Sequence, residues 1–249
     1  MKRNLLFIAL MFTTGSLLAA DAKDEITAAA KKLGEAANYS WKATTEMGGG
    51  PGGGQGQGRG RGGLTGGQTE KGGFTVLTYK FGDNTSMAVL KGDKGAAQTQ
   101  DGWQTLAEMI DAASGGGGGG GRGGAFRARQ LQNFKAPAAE VEALAGRVKE
   151  LTKADDVYSG DFTEDGAKKT VFPGNRAGGG NGPEITDASG SIKFWIKDGA
   201  VIKYEYTVKA KIAFGGNDPR DMERKTTIEI KDVGTTKVEV PEEAKKKLS

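Results

Sequence analysis

Between Ala200 and Ala213 the chain alternates. Ile202, Tyr204, Tyr206, Val208, Ala210 and Ile212 share one parity, and Lys203, Glu205, Thr207, Lys209 and Lys211 share the other. Successive side chains on a strand point to opposite faces, so this run predicts a long β-strand with one buried and one wet face. Ser191 to Lys197 precedes it, and the intervening Asp198-Gly199 accepts the positive φ angles of a type I′ hairpin turn. Further strands are predicted at Tyr39 to Thr45, Phe74 to Phe81, Thr85 to Leu90, Ala96 to Thr99, Asp156 to Phe162, Thr226 to Lys231 and Lys237 to Val240.

Elsewhere the apolar period lengthens toward 3.6. Asp24 to Ala37 carries Ile26, Ala30, Leu33 and Ala37 on one stripe, and Pro137 opens a stretch with Val141, Leu144, Val148 and Leu151 on another. Trp103 to Ala112 predicts a short helix bearing Leu106, Met109 and Ile110, and Thr163 to Phe172 a second, with Thr163 as N-cap. Pro241 starts a charged C-terminal turn of helix. Strands in hairpin order with helices inserted between them give the α+β pattern, in which helices cover one face of an antiparallel sheet. Long strands twist to the right, which lets such a sheet curve around its helices.

Glycine changes this picture locally. Three tracts, Gly48 to Gly73, Gly115 to Gly124 and Gly174 to Gly182, hold 29 of the 43 glycines. With large backbone entropy and almost no apolar side chain to offset it, these tracts are expected to be flexible insertions (48–73, 115–124 and 174–182) in one domain covering 21–249.

The N-terminus reads as a secretory signal peptide over 1–20: Lys2 and Arg3, an apolar run from Leu5 to Phe12, then Leu18, Ala19 and Ala20. Cleavage after Ala20 is expected, and Ala20-Asp21-Ala22 also fits cleavage after Ala22. The apolar run is shorter than the roughly 20 residues that span a bilayer, so the chain is expected to be exported, into the periplasm, and not to span the membrane. Loss of Lys2 and Arg3 lowers the formal charge from +4 to +2, too small an excess to name a partner.

No histidine and no cysteine occurs in the chain. That excludes the Ser-His-Asp triad, thiol nucleophiles, imidazole bases, the usual zinc and copper sites and a lipid-bearing cysteine. Asp155-Asp156 and Glu164-Asp165 are adjacent pairs, which rarely face each other across a substrate bond as a glycosidase requires. Asp161-Phe-Thr163-Glu-Asp165-Gly166 matches the first half of a calcium loop but puts Phe172 where the bidentate Glu belongs, so a capped helix start is the better reading. Gly58-x-Gly60-x-x-Gly63 has dinucleotide spacing with no strand before it and no helix after. The Arg-Gly-Gly pieces at Arg61 and Arg122 read as solvated loop in an exported chain, so no nucleic-acid partner is expected. No enzyme activity, metal or cofactor is expected.

One resemblance adds to this. Ser191-Ile-Lys-Phe-Trp-Ile-Lys-Asp-Gly199, Lys203-Tyr-Glu-Tyr206, and Thr226 to Val240 followed by Pro241 resemble the bacterial LolA/LppX-like lipoprotein and lipid carriers. The resemblance implies a curved antiparallel sheet, an incomplete barrel, with helices covering a concave face that holds acyl chains. It implies a non-enzymatic carrier or binding module for a lipid or lipoprotein ligand. The candidate lining, read from the strand pattern, is Ile192, Phe194, Ile196, Ile202, Tyr204, Tyr206 and Val208. The alternative is a structural or interaction protein of the cell envelope, in which the same stripe forms a dry core with no ligand cavity.

Overall fold

The computed structural model describes residues 15–48, 63–114, 120–172, 183–213 and 218–249. In chain order the elements are α1 (Gly15–Glu35), β1 (Asn38–Gly48), β2 (Gly63–Glu70), β3 (Thr75–Phe81), β4 (Asn84–Lys91), β5 (Lys94–Thr99) and β6 (Gly102–Thr105). The helices α2 (Leu106–Ser114), α3 (Gly120–Gln132) and α4 (Pro137–Ala145) follow, then β7 (Thr152–Ala154), β8 (Val157–Asp161) and α5 (Glu164–Val171). The long strands β9 (Glu184–Lys197), β10 (Ala200–Ala213) and β11 (Arg220–Lys231) and the short helix α6 (Glu242–Lys247) complete it.

The strands form one antiparallel sheet in the order β6-β5-β4-β3-β2-β1-β11-β10-β9-β8-β7. Two meanders of hairpins are joined where β1 pairs with β11, Trp41 opposite Ile230 and Ala43 opposite Ile228. The sheet is not closed, so the architecture is an α+β incomplete barrel, with helices on the concave face. Asp198 and Gly199 turn β9 into β10 with φ of 52° and 69°, the conformation that this dipeptide favours.

One core cluster runs along the concave face. It joins Ile26, Ala30 and Leu33 of α1, Val141 and Leu144 of α4, and Ala167 of α5 to Trp41, Leu77, Ala88, Phe194 and Tyr204 of the sheet. The buried side chains described in α1 begin at Ala22. On the opposite face, Ala244 and Leu248 cover Val76, Val89 and Ala96.

The structure departs from the sequence reading at several places. The tract 48–73 is not loop throughout: Gly63–Glu70 is β2, bonded to both β1 and β3. Part of the tract 115–124 is helical as well, because Ala125, Ala128 and Leu131 recur every third residue, all buried, and continue one helical stripe in α3. Trp103 lies on β6, since Gly102, at φ 96°, folds the chain back along β5 before α2 begins. Val148 and Leu151 are buried but lie past the end of α4. Lys237 to Val240 joins no ladder, and Val238 and Val240 instead pack on the outer face. Residues 1–14, which hold most of the signal-peptide pattern, and Arg61 lie outside the described residues.

Candidate functional site

Cross-strand register assembles the concave face. Tyr158, Phe194, Tyr204 and Ile228 lie in one row across β8 to β11, and Gly160, Ile192, Tyr206 and Thr226 in the next. Of the candidate lining residues, Ile192, Phe194, Tyr204, Tyr206 and Val208 are buried in one contiguous patch. Ile196 is half-buried at its end.

Ile202 does not join them. It is 42% exposed, because an irregularity between Val201 and Lys203 breaks the pairing with β9 and turns Val201 inward in its place. Strict alternation does not survive such a bulge.

The other half of the concave face went unrecognised in the sequence. Trp41, Leu77, Ala88 and Ala97 lie on β1, β3, β4 and β5, and Ala128 and Leu131 of α3 share their cluster. Phe134, just after α3, stacks on Trp41 with ring centroids 6.3 Å apart and planes at 17°.

A polar network is set into this apolar surface. Glu140 of α4 accepts hydrogen bonds from Tyr204 Oη at 2.5 Å and Tyr206 Oη at 3.4 Å. Burial holds its carboxyl above the ordinary carboxylate range, against the opposing pull of the two tyrosines and of Arg147 and Arg224. Burial also raises the two phenols, with the Glu140 charge adding to it. Arg147, just past α4, donates to Thr170 Oγ1 at 3.0 Å, and Arg224 of β11 donates to the Thr170 carbonyl at 2.7 Å. A sequence signal existed for Arg224: it is a charge on the parity of Met222, Thr226 and Ile228.

Among the described residues the interior is filled by its own side chains; Ile26, Leu33, Leu144, Phe194 and Tyr204 are among those fully buried. Two open clefts lie mostly on the other face. One of about 580 Å³ is lined by Lys149, Thr152, Ser159, Asp161, Ser191 and Lys193, and one of about 400 Å³ by Ser40, Thr65, Gln68, Thr78, Met87 and Glu239. Both sit mainly on the outward parity of their strands and touch the concave face only at Gly160 and Ile192 and at Trp41 and Gly67.

That face reaches solvent at one rim. Met47, at the end of β1, is 56% exposed, and Phe126 of α3 is 50% exposed beside Phe172. Gly48 pairs with Glu223, Glu184 pairs with Ala213, and Phe126 and Phe172 follow and precede the second and third tracts.

The chain is similar in fold to the lipoprotein LppX of Mycobacterium tuberculosis, at 10% identity over 88% of this chain and 99% of that one, with a TM-score of 0.44. It is also similar to LprF from Mycobacterium bovis, at 12% identity over 90% and 98%, with a TM-score of 0.41. No protein-family model and no curated protein matches it.

Proposed function

We propose that this chain is an exported, periplasmic, non-enzymatic carrier or binding module for a lipid or lipidated partner, which it takes up between the concave face and the α2–α3 pair. The observation that carries this reading is the make-up of that interface. Its floor is built largely from small residues, Gly67, Ala88 and Ala97 around Leu77 and Trp41, and α3 packs on it with Ala128 and Leu131. Small side chains on both sides interlock little, so the helices separate from the floor at modest cost and leave an apolar trough. An acyl chain of a dozen methylenes gains on the order of 10 kcal/mol on leaving water, enough to offset what the apolar side chains of α2 and α3 contribute by docking.

Gently purified protein should release lipid into an organic extract, detected by mass spectrometry, and should take up a fluorescent fatty acid. Absence of both would end the carrier reading. Cell fractionation should place the protein outside the cytoplasm, with N-terminal sequencing reading from Asp21, or from Lys23 if cleavage follows Ala22.

The filled interior favours a second reading, an envelope scaffold or interaction protein with no ligand cavity. Deleting the residues 49–62, 115–119 and 174–182 separates the two: a carrier keeps its ligand and an interaction protein loses its partner.

A further inference from the structure

Arg147 and Arg224 bring positive charge to the helix-covered side of the sheet without an ion-pair partner among the described residues. They come from distant parts of the chain and converge on one residue, Thr170, which is 2% exposed. Among the described residues neither arginine forms an ion pair, although surface lysines such as Lys209 and Lys225 do. Glu140, the acid whose charge they feel, is engaged by Tyr204 and Tyr206. The Nε of Arg224 is buried and has no acceptor.

Both arginines are half-buried, and a guanidinium N–H withdrawn from water, as Arg224 Nε is, needs an acceptor that this structure does not give it. The planar guanidinium fork fits a carboxylate or a phosphate, which would supply that acceptor together with a negative charge.

The surroundings narrow the ligand class. In register, Arg224 lies between Met47 of β1 and Val208 of β10, with Met222 next on the same parity toward the rim. A free anion would find polar neighbours more useful than two methionines and a valine. An amphiphile would use both, with its charged head on the arginines and its tail along the apolar face.

We propose that Arg224 and Arg147 hold the anionic head, carboxylate or phosphate, of an amphiphile whose tail lies on the concave face. This assignment rests on the carrier reading above and specifies its substrate class.

Calorimetric titration of the purified protein with oleate, oleyl alcohol and inorganic phosphate tests it. Oleate should bind at least about tenfold more tightly than oleyl alcohol, the scale of a charge-assisted contact. Arg224→Gln and Arg147→Gln should each bring oleate to the affinity of the alcohol while leaving the alcohol unchanged. Arg147→Gln carries the test alone if circular dichroism shows that the Arg224 variant does not fold. Equal binding of oleate and alcohol by the unaltered protein, or a preference that survives both substitutions, overturns the assignment and leaves the carrier reading intact. Phosphate binding through Arg224 with no oleate preference marks a free-anion site and also overturns it. No binding of either oleyl probe overturns the carrier reading as well.

Discussion

At the scale of single residues, Gly67 shapes the concave face by what it lacks. A Cβ there would lie 2.4 Å from Trp41 Cζ2 and 2.6 Å from the Val76 carbonyl oxygen, so the indole of Trp41 seats on bare backbone. Gly67→Ala should lower stability by about 1–3 kcal/mol through overpacking, read as a drop in the urea midpoint. In sequence this residue looked like part of a flexible tract, because its partner, Trp41, is 26 positions away and only the ladder unites them. Glu140 is a second such case. Arg147, Arg224, Tyr204 and Tyr206 face it, and burial leaves its carboxyl titrating above its ordinary value of 4.5. A carboxyl whose pKa is raised on folding contributes stability that is full below the unfolded value and is lost as pH rises through the folded one. Stability should therefore decline from about pH 4.5 upward on account of Glu140, and Glu140→Gln should flatten that decline. Parallel urea melts at pH 4 and pH 8 check this; a slope unchanged by the substitution counts against it.

At the scale of elements, local rules located most boundaries and failed where two rules competed. Thr163 caps α5, accepting from Gly166 N at 2.9 Å, as its sequence suggests. Thr105 and Glu108 form a reciprocal capping box at the start of α2, with Glu108 N donating to Thr105 Oγ1 at 3.1 Å and Thr105 N to Glu108 Oε2 at 2.6 Å. The Thr-x-x-Glu spacing was readable and marks Leu106, not Trp103, as the first helical residue. Thr105→Ala should cost about 1 kcal/mol, measured by denaturant unfolding. Helix α3 escaped notice because its first turn is glycine and its buried stripe is mostly alanine, a weak hydrophobic signal. The same alanines make α3 the element that uptake would disturb. Trp41, stacked on Phe134 at the end of α3, reports on it. With Trp103→Phe and Trp195→Phe in place, fatty-acid binding should shift Trp41 emission. An unchanged spectrum with ligand bound would place the ligand elsewhere.

At the scale of the molecule, the sheet has two apolar faces of unequal depth. The concave face is covered by α1 to α5 and the outer face, over β3 to β5, by a short C-terminal segment. There Ala244 is fully buried and Leu248 is 6% exposed, against Val76, Val89 and Ala96. The ion pair of Lys247 with Glu108 joins α6 to α2, but its side chains are 38% and 49% exposed, so solvent screens it and the apolar contacts dominate. Leu248→Asp should release α6 while the sheet stays folded, at a cost near the 1.5–3 kcal/mol of one buried leucine. Hydrogen exchange should then quicken in α6 and dye binding to the uncovered patch should rise; global unfolding would show that α6 anchors the whole sheet.

The sequence by itself determined the strand alternation, the Asp198-Gly199 turn, the amphipathic stripes of α1 and α4 and the cap of α5, since these depend on residues within a few positions of one another. It also excluded histidine and cysteine chemistry outright. Only the tertiary structure decided that β1 joins the two meanders, that a bulge expels Ile202, that Gly67 of the first tract floors the concave face, and that Arg147 and Arg224 meet at Thr170. These outcomes depend on pairing between residues tens to hundreds of positions apart, where register and packing, and not local period, set which side chains come together.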